Sequence, residues 1–139
     1  MNIADIQQQV IKEFASIDDW LDKYEYLTDL AKKLPSTNGE LKTENHKIGG
    51  CQSNVWIKAS KTNGTIHYEA DSDTQIIKGI IALLLKVYNG QPPKAIINSD
   101  PEFIDKIGLK SNLSPSRANG ISSIMKRIQE IAVEYDKKY

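Results

Sequence analysis

The chain has 139 residues, of which 40% are hydrophobic and 26% are charged, and its 18 basic and 18 acidic residues cancel. This size predicts a single domain over residues 1–139 that can bury a core without a disulfide or a metal, and the apolar fraction excludes disorder. Nucleic acid is excluded as an expected partner, because binding to a phosphate backbone requires a basic excess.

No membrane partner is expected either. The N-terminus lacks the basic and apolar segments of a signal peptide, and the longest apolar run, residues 80–85, is too short to span a bilayer. We therefore expect a cytoplasmic protein in which Cys51, the only cysteine, stays reduced. One cysteine and two histidines, His46 and His67, are too few ligands for a structural zinc site, so no metal is expected.

Two amphipathic helices are predicted first. The first is indicated by apolar residues at helical spacing, which are Ile3, Ile6, Val10 and Phe14. Ser16 and Asp19 form an S-x-x-D start signal for the second helix. Its apolar residues run from Trp20 to Leu34, and Pro35 stops it.

A polar loop over residues 36–50 is predicted to lead into a β-hairpin. Apolar and polar residues alternate over residues 53–71 on both sides of Asn63 and Gly64, which are a strong signal for a tight turn. Because a two-stranded hairpin is marginally stable alone, a third strand from the 40s could complete the sheet. His67 is predicted to lie on the surface.

A buried central helix follows the hairpin. Ser72 or Asp73 is predicted to cap it. From there to Tyr88 the residues are mostly apolar and leave the helix almost no polar face, which is typical of a buried helix. Asn89 and Gly90 are predicted to end it.

The remaining segments are predicted to be helical. Short helical turns are expected around residues 93–108, and Ser114 followed by Pro115 begins a long amphipathic C-terminal helix. The predicted fold class is therefore α+β, with helices packed on a small antiparallel sheet.

The segment around Cys51 is the one best suited to chemistry. Gly49 and Gly50 permit positive φ and close backbone approach, which suits a sharp loop tip, and the strand that follows would hold the thiol in place. A reactive cysteine acts as its thiolate, and a free cysteine has a pKa of about 8.5. The alternative is a small buried hydrophobic residue, and these residues by themselves leave both readings open.

Residues 50–57 read GCQSNVWI and match a specific family signature. The chain resembles, over nearly its whole length, the SufE family of sulfur-acceptor proteins, in which Gly-Cys-Gln-Ser-x-Val-Trp-Ile is the persulfide site. Three more blocks carry the resemblance: Trp20 with Tyr24 and Leu34-Pro35; Asp71-Ser72-Asp73 with Ile76 and Lys78-Gly79; and Leu113-Ser114-Pro115-Ser116-Arg117.

The resemblance implies a function. Family members accept sulfane sulfur from a SufS-like, pyridoxal-phosphate (PLP) dependent cysteine desulfurase, stimulate that enzyme, and pass the sulfur to a SufBCD-like iron–sulfur scaffold. Cys51 matches the acceptor, which implies a carrier with no stand-alone turnover and a fold similar to IscU-type scaffold proteins. The PLP belongs to the desulfurase, so no cofactor is expected here.

The resemblance also suggests supporting residues, each with a simpler alternative. Arg117 is expected to contact the cysteine loop or the persulfide anion, or else to be a solvated residue in a first helical turn. Asp73 is expected to hold the loop closed, or to cap a helix with Ser72. Gln52 and Ser53 either bind the loop or the sulfur, or only satisfy a turn.

Nearby residues receive plainer interpretations. Trp56 is expected to be core packing, and His46 and Lys47 are expected to be exposed loop residues rather than groups that favour the thiolate. Two rival functions stay open: a CsdE-type carrier to another sulfur acceptor, and a non-catalytic module that activates a desulfurase allosterically. A stand-alone enzyme is disfavoured, because no acid–base pair is apparent near the thiol.

Overall fold

The computed structural model describes residues 2–34, 41–49, 53–100 and 103–138. The predicted site residues Gly50, Cys51 and Gln52 lie outside these ranges, as does Pro35. None of the helices in the described ranges has both the length and the apolar character needed to cross a membrane.

The first two helices are α1, Ile3–Ala15, and α2, Trp20–Ala31. The apolar stripe of α1 is buried, as predicted. The predicted start signal of α2 was wrong in one residue: Asp19 caps α2 by accepting from the N–H of Leu21 at 2.8 Å, whereas Ser16 ends α1. A carboxylate suits this place because the first turn of a helix has unpaired N–H groups.

The hairpin comprises β1, Val55–Thr62, and β2, Thr65–Ser72, paired antiparallel. Asn63 and Gly64 form the turn with φ values of 53° and 81°. Two consecutive positive φ values match the twist of the strands, so the predicted turn is confirmed. His67 is exposed, as predicted.

The predicted polar loop before the hairpin is partly buried, and the suggested third strand was wrong. Leu41 is fully buried and Ile48 is nearly so. Residues Glu44–His46 form a 3-10 turn, and pairing with β1 is limited to one bridge between Lys47 and Trp56. The 3-10 turn occupies the place of the suggested strand, and within the described ranges the sheet has two strands.

Helix α3, Gln75–Tyr88, is the buried centre of the domain, as predicted. Its N-cap is Thr74, so the prediction that Ser72 or Asp73 caps it was wrong. The side chains of Ser72 and Asp73 instead form hydrogen bonds with Asn54, the residue before β1. Gly79 packs so closely on α2 that a Cβ there would overlap the carbonyl oxygen of Leu27.

Three further helices complete the α+β fold, with helices packed on a small antiparallel sheet as predicted: α4, Pro93–Ile97; α5, Phe103–Lys106; and α6, Pro115–Lys138. Two tyrosines fasten α6 to the hairpin. The hydroxyl of Tyr68 donates to the carbonyl of Ile128 at 2.9 Å, and that of Tyr135 donates to the carbonyl of Ala59 at 2.8 Å. These bonds fix where α6 lies relative to β1.

Candidate functional site

The described residues before and after Cys51 meet at the start of β1. The N–H of Ile48 donates to the carbonyl of Val55 at 2.8 Å, and Lys47 forms a bridge with Trp56. The described residues that flank positions 50–52 are therefore fixed to each other.

Asp73 clamps the C-terminal end of this loop. Its carboxylate accepts from the backbone N–H of Asn54 at 3.1 Å and from Nδ2 of Asn54 at 2.9 Å. The carbonyl of Asn54 in turn accepts from the N–H of Asp73 at 3.3 Å and from the hydroxyl of Ser72 at 2.9 Å. Bonds to a carboxylate are stronger than neutral ones, so Asn54 is held at its backbone and its side chain.

Ser53 is half-buried beside the clamp, where Thr74 Oγ1 donates to Ser53 Oγ at 2.6 Å. Ser53 and Arg117 border one small cavity of about 10 Å³, which is about the space of a single water molecule. Its other lining is mostly apolar, from Val55, Ile77 and Ile124. The structure thus brings together two predicted site residues that are far apart in sequence.

Arg117 lies in the first turn of α6, where its N–H donates to Ser114 Oγ at 3.3 Å. The side chain is exposed, and no carboxylate of the described residues forms an ion pair with its guanidinium. A cation at the rim of a mostly apolar cavity can attract an anion that enters it. Arg117 therefore satisfies the solvated interpretation and is still placed for the functional one.

Asp71, which is paired with Trp56 in the hairpin, holds two cations. Its buried carboxylate lies 3.3 Å from Lys42 Nζ and 3.4 Å from Lys78 Nζ, and accepts from the N–H of Ser72 at 2.8 Å. Burial by itself would raise the pKa of Asp71, but the Ser72 bond and the two ammonium groups outweigh it and lower the pKa. Lys42 Nζ also lies 5.5 Å from the ring centre of Trp56.

The other expected residues near Cys51 are placed as follows. Trp56 is half-buried, but it is not one of the described residues that pack against the hydrophobic core, so its predicted core packing is not confirmed. Lys47 is exposed, but His46 is half-buried, with Nδ1 3.2 Å from the carbonyl of Leu41. Gly49 has no positive φ and a Cβ there would touch nothing within 4 Å, so the conformational reason expected for this glycine was wrong.

Sequence reasoning missed two residues of the clamp. Asn54 was assigned to a variable position of the signature, and Thr74 was not singled out. The one signal available for Asn54 was its type, since Asn and Ser side chains next to a strand often bind nearby backbone groups. Among the described residues, no three His, Asp or Glu side chains are grouped so that they could hold a metal.

The fold and site define a class of protein: a small α+β domain in which the described residues on either side of the only cysteine of the sequence are tied to the hairpin and to Asp73. Residues 8–132 match the model of the SufE family, described as an Fe-S metabolism associated domain. The chain therefore belongs to the SufE family, which confirms the resemblance and implies a sulfur-transfer role in iron–sulfur metabolism. Members of this family are sulfur carriers or activators that generally work with a cysteine desulfurase.

Curated relatives agree with this assignment. An uncharacterized SufE-like protein of Rhizobium etli is 40% identical over 129 residues, which cover 89% of this chain and 87% of that protein. An uncharacterized SufE-like protein of Synechocystis is 38% identical over 91% of this chain and 80% of its own length. SufE-like protein 1 of Arabidopsis thaliana, named chloroplastic/mitochondrial, is 37% identical over 94% of this chain and 36% of its own length.

A solved structure has the same fold. The solution structure of a hypothetical protein from Thermus thermophilus matches 93% of this chain and 94% of its own, with a TM-score of 0.77 and 21% identity. At this identity the likeness concerns the fold alone. The cytoplasmic location stays a prediction.

Proposed function

We propose that this protein is a persulfide sulfur carrier. Cys51 takes sulfane sulfur from a PLP-dependent, SufS-like cysteine desulfurase. The protein thereby stimulates that enzyme, and it delivers the sulfur to a SufBCD-like scaffold for iron–sulfur cluster assembly. The observation that supports the proposal is the pair of ties around the family's persulfide signature: the described residues on either side of Cys51 are bonded at Ile48–Val55 and at Asn54–Asp73.

The transfer is an exchange at sulfur with balanced electrons. The thiolate of Cys51 attacks the outer sulfur of the donor's persulfide, a new S–S bond forms on Cys51, and the donor's S–S bond breaks. The donor cysteine leaves as a thiolate, and the proton of the donor persulfide stays with the transferred sulfur. No external oxidant or reductant and no cofactor of this chain takes part.

The chain's other residues would position and protect the sulfur. The cavity between Ser53 and Arg117 has about the size of one atom and is lined mostly by apolar groups. A sulfur that enters it would be shielded from water and stray thiols, and the Arg117 guanidinium would stabilise a persulfide anion there. We assign Arg117 and Ser53 this supporting role.

The loop would have to open when a partner docks. The bonds of Ile48 and Asn54 mark the two ends between which such a movement would take place. Gly49→Pro combined with Gly50→Ala would reduce the freedom of this segment, since proline fixes φ. Sulfur transfer should slow in that variant, and full activity would exclude the opening.

Intact mass after incubation with a SufS-like desulfurase and free cysteine, without reductant, tests the proposal. The wild-type chain should gain about 32 Da, one sulfur atom, and lose it again when a thiol reductant is added. Cys51→Ser should gain nothing. A desulfurase that is stimulated equally by Cys51→Ser, while the wild type gains no sulfur, would replace the carrier with the allosteric module.

The identity of the acceptor separates the two kinds of carrier. Loaded protein that passes its sulfur to a SufBCD-like scaffold fits the proposal. Loaded protein that passes it only to another sulfur acceptor would assign the CsdE-type role.

A further inference from the structure

A second pocket borders the N-terminal end of the cysteine loop. It has a volume of about 250 Å³ and lies between residues 47–49 and the middle of α6. It shares no lining residue with the cavity beside Ser53. The polar or exposed residues that line it are Lys47, Gly49, Ser123, Lys126, Arg127 and Glu130.

The pocket carries more positive than negative charge, although the chain as a whole is neutral. Within the described ranges, neither Lys47 nor Lys126 has a carboxylate within 4 Å of its ammonium group. Arg127 Nη1 is 3.2 Å from Glu134 Oε1 and is therefore largely compensated. Glu130 is the one carboxylate among the described lining residues, so one of the two ammonium groups stays uncompensated.

The pocket is also open to a partner. Lys47, Gly49 and Lys126 are exposed, and the space beside Gly49 holds no atom within 4 Å of a Cβ position. A partner that exchanges sulfur with Cys51 must cover this ground, because Gly49 is two positions from the cysteine. With zero net charge there is no long-range steering, so such a partner has to be recognised by a local charged surface.

We propose that this pocket receives a carboxylate side chain of the cysteine desulfurase, which sets the register of the two proteins beside Cys51. A single negative charge fits best, because Glu130 would repel a dianion such as phosphate more strongly. The pocket also lies at the middle of α6, away from the free N–H groups of a helix start that favour phosphate. This proposal rests on the proposed function.

Charge reversal tests the pocket. Lys47→Glu combined with Lys126→Glu should raise the Kd for a purified SufS-like desulfurase by about tenfold or more, because two repulsive charges replace two attractive ones beside the partner's carboxylate. The matched control is Lys94→Glu with Lys137→Glu, which changes the net charge equally at two exposed lysines outside the pocket. It should change the Kd less than about twofold, and the difference should shrink as salt is added.

Three outcomes decide the matter separately from the carrier role. Equal Kd values for the pocket variant and the control would overturn the docking proposal. If Cys51 still gains sulfur at saturating desulfurase in that case, the carrier role stands. Inorganic phosphate that shifts the amide signals of Lys47 and Lys126, with desulfurase binding unchanged by the reversal, would assign the pocket to a free anion and also overturn it. A wild-type chain that binds the desulfurase but gains no sulfur would refute the carrier role alone.

Discussion

The carboxylate of Asp73 holds Asn54 at two atoms, the backbone nitrogen at 3.1 Å and the side-chain Nδ2 at 2.9 Å. Asn54 is three residues after Cys51, and Asp73 is at the junction of β2 and α3. The bond pair therefore ties the end of the cysteine loop to the start of the buried central helix. Because both residues are exposed, a docking protein can reach and break this contact.

Asp73→Ala should make Cys51 easier to reach. Two bonds to an exposed carboxylate contribute on the order of 1 kcal/mol, so the open loop should be populated about fivefold more often. The rate of alkylation of Cys51 by iodoacetamide measures this directly. Asp29→Ala, which removes an exposed carboxylate on α2, is the control. Equal alkylation rates in both variants would exclude a latch at Asp73.

Arg117→Ala should slow sulfur transfer about tenfold, which corresponds to one lost charge-assisted interaction with the sulfur anion. The melting temperature should not change, because the side chain is exposed and has no ion pair within the described ranges. Arg117→Lys should recover part of the rate, since it keeps the charge. Single-turnover transfer from a loaded desulfurase is the measurement. If Arg117→Ala transfers sulfur at the wild-type rate, the residue is only a solvated helix position.

Asp71→Asn should lower stability at neutral pH by about 1–2 kcal/mol, because two lysines lose their partner but remain hydrated. The folded-state pKa of Asp71 lies below its ordinary value of 3.8, so this stability is present above that value and is lost as the pH falls through the lower folded pKa. The melting temperatures of variant and wild type should therefore converge in acid.

Glu69→Gln is the matched control for Asp71→Asn. Glu69 lies on the same strand. Its side chain is exposed, and its ion pair with Lys58 Nζ is long, at 3.9 Å. An exposed pair contributes at most about 1 kcal/mol, so this variant should melt close to the wild type at every pH. A gap between Asp71→Asn and wild type that persists unchanged in acid would contradict the ion-pair explanation.

Gly79→Ala should destabilise the fold although alanine is the better helix former. The new methyl group would overlap the carbonyl oxygen of Leu27, and overpacking of this kind costs about 1–3 kcal/mol. Denaturant unfolding measures the loss. Gly49→Ala, where a methyl group meets nothing within 4 Å, should unfold like the wild type. A stabilised Gly79→Ala would mean that α2 and α3 separate at no cost.

Local patterns predicted most of the secondary structure. Alternation on both sides of Asn63-Gly64 predicted the hairpin, and continuous apolar residues predicted the central helix, because each pattern depends on neighbours in the chain. The errors in the two helix caps occurred where a side chain has two possible partners. Asp73 has the right type for a helix cap, but it binds Asn54, a residue 19 positions away.

By itself the sequence determined the family, the α+β class, and Cys51 as the expected acceptor, since all three are carried by residue types in a fixed order. Only the tertiary structure decided which residues surround the loop. Ser53 and Arg117 meet at one cavity, and Lys47 and Lys126 meet at another, because the apolar face of α6 packs into the core and two tyrosine hydrogen bonds join α6 to the hairpin. Contacts between distant positions depend on how the elements pack, which no local pattern in the chain records.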